Sequence, residues 1–177
     1  MMKLMAAPTG DGLLERARRG DADSRSRLVE RHYGAVWSLA RKLTRDDATA
    51  NDVAQETFLR AFAHLAQYDG AHRFASWLFK IAANHVRDLH RRARRVWAEE
   101  GQQPACDAIL QKTEDVARVR KALDTLAPET RAALTLHLQE DLTVPEIAFV
   151  LDLTEHAVRN KIHRALRKLR ALLQEAE

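Results

Sequence analysis

Cysteine is almost missing from this chain. Cys106 stands alone, so no disulfide can close within the chain and no cysteine-based metal site can be assembled from it. Glycine and proline are scarce, six and four among 177 residues, which leaves little room for low-complexity segments. No apolar run approaches the roughly 20 residues that a membrane span needs, and the first residues carry no signal-peptide core. Membrane insertion is therefore not expected, and a cytoplasmic location is. Strand-like alternation persists nowhere, which argues against a sheet. His85 and His90 are five apart and His156 and His163 seven apart, so neither pair has the i, i+4 spacing of a helical metal site. No metal or cofactor is expected, and no catalytic residue is assigned.

What the chain does have is helical periodicity with a lopsided charge distribution. The net charge of +4 conceals cations crowded at Arg87–Arg95 and Arg159–Arg170 and acids at Asp46–Glu56 and Glu99–Asp115. Clustered cations suit a polyanion, and a separate acidic face suits a second, different partner. Leu13, Leu14 and Ala17 share one face of a short helix ending at Gly20. Asp21 caps the next, with Leu28, His32, Val36, Leu39, Ala40 and Leu43 inward. A third starts at Asp46–Asp47, with Ala54, Phe58, Ala61, Phe62 and Leu65 as its stripe, and ends near Tyr68-Asp69-Gly70. A fourth spans about Phe74 to Arg92. After Arg95 the periodicity fades into a linker; Thr113 caps a fifth helix, and Pro128 opens a sixth with Ala132, Ala133 and Leu136 inward. The expected fold is all-α, two small helical domains joined by a flexible linker: 11–95, a linker over 96–112, and 113–175.

Three segments carry chemistry. In the first, Thr143 and Glu146 form a capping box, Ile147, Ala148 and Leu151 share a face, and Asp152-Leu153 breaks the pattern. Thr154 caps a further helix whose apolar stripe is Val158, Ile162, Ala165, Leu166 and Leu169. Its polar side bears Arg159, Asn160, Lys161, His163 and Arg164, as in the recognition helix of a helix-turn-helix. Arginine donates in bidentate fashion to guanine and asparagine reads adenine, whereas Lys161 and Arg167 suit phosphates. A charged helix is more often a solvated face, but the capped two-helix pattern weighs against that reading.

The second segment interleaves Phe74, Trp77 and Phe79 with His72, Arg73, Lys80 and Asn84, a mixture suited to single-stranded nucleic acid. Trp77 lies on the apolar stripe and reads better as core; Asn84, a poor helix former, lacks that explanation. In the third segment, Asp52 and Glu56 share a helical face, as do Asn51 and Gln55. Without convergent ligands they read as an exposed ridge for a basic partner, not as a metal or acid–base site.

In order, these segments resemble the extracytoplasmic-function (ECF) sigma factors of bacterial RNA polymerase. LVERHYGAVWSLARKLTRDDATANDVAQETFLRAF resembles the first half of sigma domain two, FASWLFKIAANHVRDLHRR its promoter-melting half, and LDTLAPETRAALTLHLQEDLTVPEIAFVLDLTEHAVRNKIHRALRKLR sigma domain four. The resemblance implies that Asp52, Gln55 and Glu56 grip the clamp coiled coil of the largest subunit of core RNA polymerase. It implies minus-ten promoter contacts from Asp69, His72, Arg73, Phe74, Asn84, Arg87, Arg91 and Arg92. It further implies that Arg159, Asn160, Lys161, His163 and Arg164 face the minus-thirty-five major groove, that the linker threads polymerase channels, and that an anti-sigma factor is a partner.

Departures fall in the turns and the recognition helix. Asp141 and Asp152 stand where the family often has Gly, and Asp tolerates left-handed backbone. His156 and Ala157 replace a usual Gly-Thr, and Asn160 a common Ser or Lys, which bears on the promoter sequence read. A stand-alone helix-turn-helix regulator and a metal-dependent nucleic-acid enzyme are the competing readings.

Overall fold

The computed structural model describes residues 11–100, 123 and 125–174. Among them are seven α-helices and no strand: α1 Asp11–Arg18, α2 Ala22–Thr44, α3 Asp47–Ala63, α4 Phe74–Glu100, α5 Pro128–Leu138, α6 Val144–Leu151 and α7 Glu155–Gln174. Residues 101–122 of the expected linker and fifth helix lie outside the described residues, although Leu123 is helical.

The expected caps form. Asp21 accepts the Ser24 amide at 2.9 Å to start α2, and Asp46 accepts the Thr49 amide at 2.7 Å to start α3. Each carboxylate satisfies a donor that has no partner within its helix and sits at the positive end of the helix dipole. Two boundaries differ from expectation. α3 stops at Ala63 and tightens into a 3-10 turn, Leu65–Gln67, before Tyr68. Arg18 of α1 explains the early stop: its guanidinium donates to the carbonyl of Leu65 at 3.2 Å and to that of Tyr68, satisfying acceptors a continued helix would have used. α4 continues to Glu100, past the expected start of the linker at 96. No Gly or Pro interrupts it until Gly101, and neither charge nor aromatic content breaks a helix by itself.

α2, α3 and α4 pack on one another around Leu28, Leu39, Val53, Leu78 and Phe79, each at most 1% exposed. α5, α6 and α7 enclose Leu136, Ile147, Val150 and Val158, all fully buried. Full burial of such side chains contributes about 1.5–3 kcal/mol each. The two groups also meet: α5 packs on α2, and α6 on α4. Arg131 of α5, 3% exposed, reaches across this seam. It donates to the carbonyl of Lys42 at 3.1 Å and to that of Leu126 at 3.0 Å, placing a cation at the negative end of α2.

Candidate nucleic-acid interface

The helix-turn-helix forms as its residues dictate. The Thr143 amide and hydroxyl each donate to Glu146 Oε2 at 2.9 Å, completing the capping box that starts α6. Asp152 ends α6 in the left-handed region at φ 55°, and Asp141 closes α5 at φ 50°; both are positions where Asp stands in for Gly. Thr154 Oγ1 accepts the Ala157 amide at 3.2 Å and opens α7. Val158, Ile162 and Ala165 are buried and Leu169 is half-buried, but Leu166 is 41% exposed. Leu166 was expected on the buried stripe; it falls one residue past Ala165, where the face turns from α5 and α6 toward solvent.

The polar side of α7 is open. Arg159, Asn160, His163 and Arg164 are exposed. Arg159 pairs with Glu155 one turn back at 2.7 Å, and Asn160 Nδ2 lies 2.9 Å from His156 Nε2. His156 and Asn160, two of the departures noted in the recognition helix, are thus neighbours in space. Lys161 differs from the rest: half-buried, it is held 3.0 Å from Glu129 of α5, so a phosphate would have to draw it from that carboxylate.

The α4 face is built differently. Asp69 accepts the Ala71 amide at 2.9 Å, and the Tyr68 hydroxyl donates to the carbonyl of His72 at 2.7 Å, fixing the 69–73 loop around Gly70 at φ 77°. Phe74 corrects the sequence reading: expected to face DNA, it is 2% exposed, wedged among His32, Tyr68 and Trp77. Its ring supports the loop from beneath and has no face left for a base. His32 is buried as its inward position suggested, 9% exposed. Its Nε2 finds no protein partner, and burial, helped by nearby Arg31, lowers its pKa to about 4.

Asn84 Oδ1 accepts from Arg87 Nη1 at 2.7 Å, orienting a guanidinium that also reaches Asp152 Oδ2 at 3.1 Å and the carbonyl of Leu151 at 3.0 Å. Lys80 pairs with Asp152 as well. Arg73 grips Glu146 through two bonds, of 2.5 and 3.1 Å. The His72 ring stacks on Phe149 at 3.8 Å between centroids, and Lys80 lies 5.3 Å from the same Phe149 ring. Farther along, Arg91 pairs with Asp88 at 2.8 Å and Arg92 is exposed. Lys80, named in the interleaved aromatic and cationic segment but not among the minus-ten contacts, is a member of this face. The spacing of 76, 80, 84 and 87 puts it on the Asn84 side of the helix; its partners across the fold, Asp152 and Phe149, carried no local signal.

These contacts set the protonation of both acids. Burial alone would raise the pKa of Glu146, but bonds from Arg73 and Thr143 outweigh it and lower it. The Lys80 bond holds Asp152 below the usual carboxylate range, with Arg87 adding to it.

On α3, Asp52 and Gln55 are exposed and Glu56 is half-buried, paired with Arg60 at 2.6 Å. That pairing lowers the Glu56 pKa. Leu59, 67% exposed, extends the same face; an apolar residue off the helix's stripe was its only sequence signal. No group of three or more His, Cys, Asp or Glu among the described residues could hold a metal ion, and no helix among them is long and apolar enough to cross a membrane.

A capped helix-turn-helix behind a helical bundle that carries a cation-lined aromatic loop defines a class of DNA-directed transcription proteins. Residues 28–96 match the Sigma-70 region 2 family and residues 117–169 the Sigma-70 region 4 family. The chain is 34% identical to RNA polymerase sigma factor CarQ of Myxococcus xanthus over 169 residues, covering 93% of this chain and 97% of that one. It is 33% identical to the ECF sigma factor SigL of Mycobacterium tuberculosis, covering 84% and 88% of the two chains. The solved structure of CnrH in complex with the cytosolic domain of CnrY superposes with a TM-score of 0.69 at 32% identity, over 93% of this chain and 97% of that one. The chain belongs to the ECF sigma factors of RNA polymerase. A stand-alone helix-turn-helix regulator is not favoured.

Proposed function

We propose that this sigma factor divides promoter recognition between two separate cationic helix faces and holds polymerase through a third surface. Asp52, Gln55 and Glu56 on α3 form the polymerase-binding ridge, against the clamp coiled coil, with Leu59 adding apolar contact. Asp69, His72, Arg73, Asn84, Arg87, Arg91 and Arg92 bind the minus-ten element: the cations hold phosphates and the loop receives an unstacked base. Arg159, Asn160, His163 and Arg164 of α7 read the minus-thirty-five element in the major groove, with Lys161 a phosphate contact once free of Glu129. The first unit spans 11–95 and the second 113–175, and the linker runs through polymerase channels. The chain performs no chemistry of its own, works in the cytoplasm, and is held in check by an anti-sigma factor.

The observation that carries this reading is the exposure of the acidic α3 ridge on the same bundle as the cationic α4 face. A simple DNA-binding module gains nothing from presenting carboxylates beside its polyanion site. Run-off transcription with core polymerase is the decisive experiment. Addition of the protein should produce promoter-specific transcripts, and Asp52→Asn with Glu56→Gln should weaken polymerase binding about tenfold, in keeping with contacts at a polar interface. No transcript above that of core enzyme alone, or cleavage of DNA that a chelator abolishes, would overturn it.

A further inference from the structure

α1 lies ahead of residue 28, where the match to Sigma-70 region 2 begins, yet its last residue reaches the 69–73 loop. Arg18 Nε donates to the carbonyl of Leu65 at 3.2 Å, Nη2 donates to the carbonyl of Tyr68, and Nη1 holds Glu15 at 2.9 Å. The same guanidinium lies 5.9 Å from the centre of the Tyr68 ring. Tyr68 is the last residue before the loop, and its hydroxyl crosses to the far side, donating to the carbonyl of His72 at 2.7 Å. One side chain thus ties the start of the loop to its end, and Arg18 ties the peptide of that residue to α1. Between the two ties the chain turns on Gly70 at φ 77° and on the bond from the Ala71 amide to Asp69.

We propose that α1 is a positioning element for minus-ten recognition: Arg18, acting through Tyr68, clasps the 69–73 loop in the shape that receives an unstacked base. The inference rests on the reading of that loop as a minus-ten contact. No residue from 69 to 73 is buried, so the loop has no packed side chain of its own to fix its backbone. A loop ordered only on binding would lose affinity and selectivity to the entropy of ordering, whereas one held beforehand does not. The hydrogen bonds at its two ends supply that hold. All three guanidinium nitrogens of Arg18 are engaged by Leu65, Tyr68 and Glu15, so the residue acts on DNA through the loop and not by touching a phosphate. The planar fork matters here: it meets two carbonyls and a ring face at once, which the ammonium of lysine does not.

The test uses the full chain assembled with core polymerase, on pre-melted templates carrying each base in turn at each minus-ten position. Arg18→Lys keeps the charge and loses the fork. Tyr68→Phe keeps the ring and loses only the bond to His72, so it carries the test by itself if the first variant folds poorly. Circular dichroism checks the folding of each. Both variants should lower the preference for the favoured base about tenfold at one minus-ten position, the effect of one charge-assisted hydrogen bond. Affinity for core polymerase and for minus-thirty-five duplex should stay at the wild-type value, which a general loss of fold would not allow. The double variant should lose no more than the more affected single one, because the two bonds are links of one chain. A wild-type preference in folded variants, an equal loss at every base, or additive losses would overturn the proposal. Asp69→Ala with His72→Ala in the same assay separates the two failures. If that variant keeps the wild-type preference, the minus-ten reading of the loop falls; if it loses the preference while Arg18→Lys and Tyr68→Phe keep it, the clasp alone falls.

Discussion

α4 and α7 are both amphipathic helices with cations along one side, and in sequence they look alike. Folded, they are opposites. Among the described residues the α7 cations find acids nearby, Arg159 one turn from Glu155 and Lys161 against Glu129 of the neighbouring α5. The cations at the entry and middle of α4 meet carboxylates about 70 residues distant in sequence, Glu146 and Asp152. A local partner leaves a cation on the surface, where it can exchange its carboxylate for a phosphate. A distant partner brings a whole domain with it and covers the aromatic loop as well. Number of cations does not decide which helix is available to DNA; the origin of their counter-charges does.

The largest test of that contrast concerns how the two halves are joined. Arg131 is the buried anchor of the seam, whereas the α4 pairs are shallow. Arg131→Ala removes two bonds from a charged donor and leaves the carbonyls of Lys42 and Leu126, one partly and one fully buried, without that donor. Hydrogen bonds to charged groups contribute about 1.5–3 kcal/mol each, so a loss of about 3 kcal/mol or more is expected in urea unfolding.

Next in size is acidification, which should act on the α4 side. His32 has a folded pKa of about 4 against an ordinary 6.5. The unfolded chain takes a proton that the folded chain refuses. Stability is therefore full above pH 6.5 and declines as pH falls toward about 4, by on the order of 3 kcal/mol. His32 lies edge-on against Phe74 at 5.5 Å, so the loss loosens the support of the 69–73 loop. His32→Phe should flatten the stability profile between these pH values; an unchanged slope would assign the acid sensitivity elsewhere.

Base reading by α7 comes third. Arg164→Ala should cost about 1–3 kcal/mol of discrimination at one base pair, as expected for a lost bidentate contact, measured by holoenzyme binding to minus-thirty-five variants. His156→Ala should alter preference at the base facing Asn160, because the 2.9 Å contact holds that amide in one orientation.

Much of this architecture was legible because it is local. The Asp21, Asp46 and Thr143 caps, the Pro128 start and the left-handed Asp152 turn each follow from a few adjacent residues, and all form. The two cationic faces were legible from spacing. Phe74 was misassigned because an aromatic beside arginines looks like a stacking platform, and only packing reveals that Tyr68, Trp77 and His32 already enclose it. The early end of α3 depended on Arg18, some 50 residues away in sequence. The pairing of Arg73 with Glu146 was invisible for the same reason: each residue had a sufficient local explanation, Glu146 as a cap and Arg73 as an expected minus-ten contact. Two locally complete readings met in one salt bridge.

The smallest predicted effect is the most discriminating. Asp152→Asn alone removes the carboxylate shared by Lys80 and Arg87 while keeping a residue suited to φ 55°. Asp152 is solvent-facing, so its pairs contribute little to stability, within about 1 kcal/mol, and thermal unfolding should shift by no more than a few degrees. Its lowered pKa fixes the acid limit of the contact. The pairing is complete above the ordinary carboxylate value of 3.8 and is lost only as pH falls through the lower folded value. At neutral pH, salt is the lever, since screening weakens exposed pairs without touching the buried Arg131 anchor. The wild-type protein should therefore open gradually as ionic strength rises, measured as the distance between spin labels at Gln67→Cys and Gln139→Cys in a Cys106→Ser chain. Asp152→Asn should already be partly open at low salt and respond less. An identical salt response in the two proteins would mean that Asp152 is a bystander and that α4 is no more closed than α7.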